Sequence, residues 1–237
     1  MQDSRYRGTE LQLFQYARNW KGYFGKFIKP YLHGDVLEVG AGIGETTKLL
    51  CDGTQSSWCC LEPDKEFAAT IHYKVVNGYL PKCCEVKNGY SSDLRGMRTF
   101  DVVVYIDVLE HISDDKEEII IARELVKSGG YIIVLVPAHQ WLYNSFDKTI
   151  GHRRRYSEKQ LQAIFPDGMK NKMLKHLDSV GLLASLGNTI LLKKGRPSKS
   201  QILFWDRLLV PLSIIVDRFL GFFLGKSILG VWLISKP

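Results

Sequence analysis

Residues 35–50 read DVLEVGAGIGETTKLL: a short apolar run, then glycines at 40, 42 and 44, then the start of a helix. A buried strand that passes through a bare turn into a helix is the opening of a crossover unit. The same alternation continues for another hundred residues. SSWCCLEP (56–63) is a second strand, and DKEFAATIHYKVV (64–76) a helix with Asp64 at its N-cap. KCCEVKNG (82–89) reads as a third strand and FDVVVYIDV (100–108) as a fourth. DDKEEIIIARELVKSGG (114–130) reads as a helix closed by a glycine stop, and YIIVLVP (131–137) as a fifth strand. Continuous apolar strands separated by helices predict a parallel sheet covered on both faces, an α/β fold.

With 237 residues, 45% of them apolar and 24% charged, the chain has the makeup of one large folded domain and not of a disordered one. Its net charge of +7 suits an acidic partner, anionic lipid or nucleic acid, so the position of the surplus matters. The N-terminus carries charges throughout and no apolar core of signal-peptide length, which points to a cytoplasmic protein. Cysteines 51, 59, 60, 83 and 84 lack CxxC spacing and read as reduced small hydrophobes in buried strands. No His/Asp/Glu cluster has metal-ligand spacing along the chain, so no metal is expected.

A glycine turn at the carboxyl end of a strand lets a ligand press against backbone. The NAD-type GxGxxG pattern would need glycine at 45, where Glu45 stands, and no GK[ST] follows as in a P-loop. What remains is E-x-G-x-G-x-G, formed by Glu38, Gly40, Gly42 and Gly44, with Glu62 closing the second strand. A carboxylate at that place accepts hydrogen bonds from ribose hydroxyls.

These three motifs, Glu38 to Gly44, Glu62 and FDVVVYIDVLEHI, together resemble the class I S-adenosylmethionine-dependent methyltransferases, over roughly residues 30–137. The resemblance implies a Rossmann-like, seven-stranded, mostly parallel sheet with helices on both faces and an antiparallel last strand. KMLKHLDSV (172–180) and SILGVWLISKP (227–237) would supply the last two strands. It also implies S-adenosyl-L-methionine as cofactor. Gly40, Ala41 and Gly42 would line its methionine part, with Gly44 completing the turn. Glu38 would support the turn or reach the ammonium through water, and Glu62 would hold the ribose. Pro63 and Tyr90 would lie beside the adenine, and Ile106 and Asp107 close to the cofactor. The later segment with GHRRRY (151–156) resembles a narrower group of these enzymes found near glycosyltransferases, which implies a sugar, glycolipid or other natural-product acceptor.

Methyl transfer to oxygen or nitrogen can use a general base, and histidine suits that role. His111, His139 and His152 are the histidines of the motif and loop, with Tyr143, Asp147 and Tyr156 nearby. The catalytic candidates are His152, His111, Tyr143 and Asp147. Of Arg153, Arg154 and Arg155, one would bind an anion or pair with a carboxylate of the sheet surface, the others facing solvent. The aromatics of residues 9–32, Tyr16 and Trp20 among them, are a buried helical stripe or part of a lid over the cofactor.

The organisation expected is an N-terminal helical cap (1–34), a methyltransferase core (35–182 and 227–237) and a helical insertion (183–226). The insertion holds seven basic and two acidic residues, most of the chain's surplus. Its apolar stretch SQILFWDRLLVPLSIIVDRFLGFFLG (200–225) is interrupted by charges too often to span a membrane. Asp206, Ser213 and Asp217 share a helical face, so it reads as two amphipathic helices broken near Pro211. Three uses stay open: a cap over the acceptor pocket, a homodimer interface, or a peripheral membrane contact. The functional reading is methyl transfer to a small polar acceptor, with a non-catalytic cofactor-binding scaffold or partner-binding module as the alternative. A nucleic-acid methyltransferase is disfavoured, because DVLEHI stands where a [DN]PP[YF]W motif would follow the fourth strand.

Overall fold

The computed structural model describes residues 9–187 and 197–235. Seven strands form one sheet: β1 (Asp35–Val39), β2 (Ser57–Glu62), β3 (Cys84–Asn88), β4 (Phe100–Ile106), β5 (Val126–Pro137), β6 (Met169–Leu177) and β7 (Ser227–Ile234). Their order is β3-β2-β1-β4-β5-β7-β6. β1 through β5 pair in parallel, and β7 runs antiparallel to both β5 and β6. This is the α/β architecture that the strand and helix patterns predict, with the reversed last strand.

Buried strands alternate their side chains between two apolar layers. Leu37, Val103, Tyr105, Ile132 and Val134 face helices α5 (Asp115–Leu125) and α7 (Glu158–Ala163), which contribute Ile119, Leu125 and Leu161. Val36, Trp58, Val102, Val104 and Ile133 face α2 (Arg18–Ile28), which contributes Trp20, Phe24 and Ile28. The chain steps outward from β1 through β2 to β3, then crosses back to β4 on the other side of β1. That reversal opens a crevice at the carboxyl ends of β1 and β4, the place where such sheets bind ligands.

Two local expectations are corrected. The helix expected over residues 114–130 ends at Leu125, and VKSGG belongs to β5. Gly130 is small because β5 passes tightly along β4, where a Cβ would lie 2.5 Å from the carbonyl oxygen of Asp101. The insertion does not break near Pro211. From α9 (Lys199–Phe204) the chain continues through a π-helical turn (Trp205–Leu209) into α10 (Val210–Phe219), with the Val210 N–H donating to the Trp205 carbonyl. Pro211 sits in the first turn of α10, where a missing N–H costs least. Between β6 and α9 lies α8 (Ser179–Gly187); Lys193, Lys194 and Arg196, counted in the insertion's charge, lie outside the described residues.

The rotation of α9–α10 about its axis is set by polar groups that point inward. Asp206 accepts the N–H groups of Asn19 and Trp20, at 3.2 and 2.9 Å, supplying the cap that Ala17 cannot give to α2. Asp217 accepts the N–H groups of Asp178 and Ser179, at 2.7 and 3.0 Å, and the Tyr23 hydroxyl at 2.8 Å. Ser213 accepts the Val180 N–H and donates to Asp178, which also accepts the Trp205 indole N–H. All of these carboxylates are buried. The segment is amphipathic, with its polar face toward the protein.

Candidate active site

The turn after β1 is held open by backbone geometry that only glycine adopts cheaply. Gly40, Gly42 and Gly44 have φ of +69°, +58° and +79°. The N–H groups of Gly40 and Ala41 both donate to the Leu61 carbonyl, and the Gly42 N–H donates to Glu62 Oε2 at 2.7 Å. Glu62 Oε1 accepts the Asp64 N–H at 3.0 Å. Each oxygen of that nearly buried carboxylate keeps a second acceptor site. Helix α1 (Thr9–Phe14) lies over the turn, with Leu11 3.3 Å from where a Gly42 Cβ would stand. Leu11 is therefore the α1 side chain that meets the turn. Trp20 is core, packed edge-on against Phe24 and Tyr23, and Tyr16 lies at the surface beneath Lys199.

Glu38 does not face the crevice. Its Oε2 accepts the Thr47 hydroxyl at 2.6 Å and the Trp58 indole N–H at 2.8 Å, bracing the glycine turn from behind. Burial pushes its carboxyl up to about 7, against those two hydrogen bonds. Pro63 offers its carbonyl to the Asn88 amide. Tyr90 stands half-exposed beyond β3, its N–H held by the Asp93 carboxylate at 2.8 Å. Asp93 is therefore engaged locally.

At the end of β4, Ile106 leads into Asp107, a non-glycine residue at φ +54° whose N–H donates to the Leu135 carbonyl. That conformation costs on the order of 1 kcal/mol. Asp107 is solvent-exposed at the carboxyl end of β4. Desolvation by neighbouring protein lifts its carboxyl to about 6, opposed by His152, Lys21 and Lys226. Lys21, buried on α2, donates to the Phe14 carbonyl at 2.6 Å, and burial lowers its ammonium against the pull of Glu45 and Asp107.

The loop after β5 carries the second half of the site. Asn144 caps α6 (Ser145–Thr149) and fixes Asp147 in its first turn. Asp147 is fully buried; it receives His152 Nδ1 at 2.9 Å and Arg155 Nη2 at 2.9 Å. Burial opposes its charge, yet His152 and Arg155 hold its carboxyl below the usual carboxylate range. His152 Nε2 lies 3.6 Å from Glu110 Oε1. Glu110 is fully buried, and its carboxyl oxygens have no hydrogen-bond partner among the described residues. Burial, then the Asp107 charge, raises its carboxyl well above the usual range. His111 meets His152 edge-on at 4.6 Å, and burial next to that ring lowers His111 to about 3, leaving it neutral.

The loop therefore joins His152 and Asp147, brings His111 alongside them, and leaves Tyr143 in a supporting role, its hydroxyl donating to the His152 carbonyl at 2.7 Å. Tyr156 is core, bonded to Asp115 and the Leu109 carbonyl. His139 turns away to the Gly225 carbonyl. Of the three arginines, Arg155 pairs with a buried carboxylate of its own loop, not with the sheet surface. Arg154 pairs with Asp115, and Arg153 binds the His111 carbonyl. Sequence spacing missed Glu110 as a member of this cluster and missed two sets of converging ligand atoms. Glu110, His111 and His152, and separately Cys51, Cys83 and Cys84, each place their donor atoms within 4.8 Å of one another. The cysteines, all free, lie at the amino end of β3, away from the crevice.

A side-chain-free turn after β1, a carboxylate with spare acceptor capacity at the end of β2 and an acid at the end of β4 fit S-adenosylmethionine. Fold and site together define a Rossmann-like methyltransferase. A family model described as a methyltransferase domain matches residues 13–167, and the chain belongs to that family of S-adenosylmethionine-dependent enzymes. Among solved structures it is similar to the YcgJ protein of Bacillus subtilis, with a TM-score of 0.60, 16% identity, and coverage of 91% of this chain and 99% of that one. It is also similar to an S-adenosylmethionine-dependent methyltransferase from Clostridium acetobutylicum, with a TM-score of 0.57, 12% identity and 92% coverage of both chains. A curated relative, the hybrid PKS-NRPS synthetase gkaA of Penicillium citrinum, is 27% identical over 147 residues, 54% of this chain. The chain spans 3% of the length of that relative. Among the described residues, no helix is long and apolar enough to cross a membrane.

Proposed function

We propose that this methyltransferase acts on a hydroxyl group of a small polar acceptor, a saccharide or other natural product, with His152 as general base. The carrying observation is the buried Arg155–Asp147–His152 relay beside Asp107. Asp147 holds the imidazole in one orientation through Nδ1, which leaves Nε2 to take a proton. The bound cofactor supplies an activated methyl group. The chain's own part is alignment and proton removal. Gly40, Ala41 and Gly42 would seat the methionine portion, Glu62 the ribose, and Asp107 would line the floor. As the acceptor hydroxyl passes its proton to His152 Nε2, the imidazolium formed is offset by Asp147. Likeness of GHRRRY to enzymes that accompany glycosyltransferases, and the synthetase relative, support a natural-product or saccharide acceptor.

The test begins with calorimetric titration of S-adenosylhomocysteine, with NAD as control. A panel of glycosides, phenols and amines is then screened for methyl transfer. Transfer to hydroxyls, with kcat reduced roughly a hundredfold in His152→Ala, is expected. Transfer confined to amines or carbon, or an unaffected His152→Ala, would refute the reading.

A further inference from the structure

The outward face of α9–α10 is apolar. Phe204, Leu208, Leu212, Ile215 and Phe219 follow one another at steps of three and four residues and are all exposed, as is Phe223 in the turn beyond the helix. Phe219 and Phe223 are the extremes, at 87% and 83% exposure. Such a stripe normally turns inward. Here it cannot, because Asp206, Ser213 and Asp217 occupy the inward face as caps and acceptors for α2 and α8. Half a turn of rotation would bury the phenylalanines and orphan three polar side chains, a costly exchange. The apolar face is held outward by construction.

Its charge is one-sided. The exposed charged residues from Lys199 to Leu224 are Lys199, Arg207 and Arg218; the segment's two acids are the buried caps. The neighbouring α2 contacts the same helices and adds exposed Arg18 and Lys26, followed by Lys29, with no acidic residue anywhere in 11–34. A stripe of phenylalanine and leucine whose own exposed charges are all cations complements a surface with an apolar interior and an anionic skin. A second copy pairing through this face would set like charges against each other. The helix is also too interrupted by charge to enter as a span.

We infer that the outward face of α9–α10 docks on the surface of an anionic phospholipid bilayer. The helix lies in the plane of the interface over roughly 30 Å. Phe219 and Phe223 enter the acyl boundary, and Arg207, Arg218 and Lys199 meet lipid phosphates. This inference does not rest on the identity of the acceptor.

The experiment is co-sedimentation of the full chain with vesicles of phosphatidylcholine and phosphatidylglycerol, and with phosphatidylcholine alone, at low and high salt. Binding to the mixed vesicles, weakened by salt and about tenfold weaker on the neutral ones, is expected. Phe219→Asp with Phe223→Asp should lose about tenfold or more, and Arg207→Gln with Arg218→Gln should flatten the salt dependence. Circular dichroism and S-adenosylhomocysteine affinity verify that these surface variants stay folded. As an independent readout, Phe223→Trp should shift its emission to the blue when mixed vesicles are added. No binding to mixed vesicles, or undiminished binding by the double aspartate variant, overturns the inference. So does a dimer in light scattering that the same substitutions dissolve, with no partition to vesicles.

Discussion

Replacing Asp147 by asparagine separates the charge of this side chain from its shape. The carboxylate is fully buried and is met by His152 Nδ1 at 2.9 Å, Arg155 Nε at 3.1 Å and Nη2 at 2.9 Å, and the Asn144 N–H at 3.0 Å. Asparagine fills the same space and keeps one acceptor oxygen. It leaves the Arg155 guanidinium, 7% exposed, without a counter-ion. Removing one partner of a buried ion pair costs about 3–5 kcal/mol. The retained oxygen recovers roughly 1 kcal/mol, so a net loss of about 2–4 kcal/mol is expected. Urea unfolding followed by circular dichroism reads this as a lower midpoint at unchanged slope. Adding Arg155→Met removes the orphaned cation and should restore at least half of the loss. Under conditions where Asp147→Asn stays folded, kcat should fall roughly a hundredfold, because the His152 ring is no longer held by a charged acceptor. A stability loss below about 1 kcal/mol, or a double variant as unstable as the single one, would refute the relay as drawn.

Gly42→Val puts a β-branched residue at φ +58°, with its Cβ 3.3 Å from Leu11; calorimetry should show S-adenosylhomocysteine binding abolished in a protein that still unfolds cooperatively. Glu38 binds its proton more tightly folded than unfolded, so its contribution to stability is present below an ordinary glutamate's 4.5 and is lost as pH rises through about 7. That slope is worth on the order of 3 kcal/mol, and Glu38→Gln should flatten it in denaturation curves measured across that window; an unchanged slope would sink the assignment. Asp217→Ala leaves the Tyr23 hydroxyl and two backbone N–H groups without their acceptor. It should cost about 3–5 kcal/mol and speed hydrogen exchange in α8, whereas Phe219→Ser should change stability by less than about 0.5 kcal/mol.

The layered fold was legible because its signals are local. β1 and β4 are buried on both faces, so they stand out as continuous apolar runs. Gly40, Gly42 and Gly44 declare a turn that no side chain can enter. The site was legible in part. Asp147 and His152 could be named as candidates from their loop, but their pairing depends on Asn144 capping the short helix that carries Asp147. Glu110 meets His152 only because the β4 and β5 strands lie side by side and deliver their loops to one end of the sheet. Periodicity showed that Asp206, Ser213 and Asp217 share a helical face, but not which way that face points. The direction is decided by uncapped helix ends elsewhere in the chain, which no window of local sequence contains.

The cap that Asp206 provides for α2 has a consequence for how the chain is made. The two groups are separated by 187 positions. During synthesis α2 therefore remains open at its amino end until the segment that holds Asp206 has emerged. Its Trp20 and Phe24 share an apolar layer with Val210 of α10, so α2 and α9–α10 close on the sheet together. Removing α9–α10 would be felt at the amino end of α2, next to the helix that lies over the glycine turn.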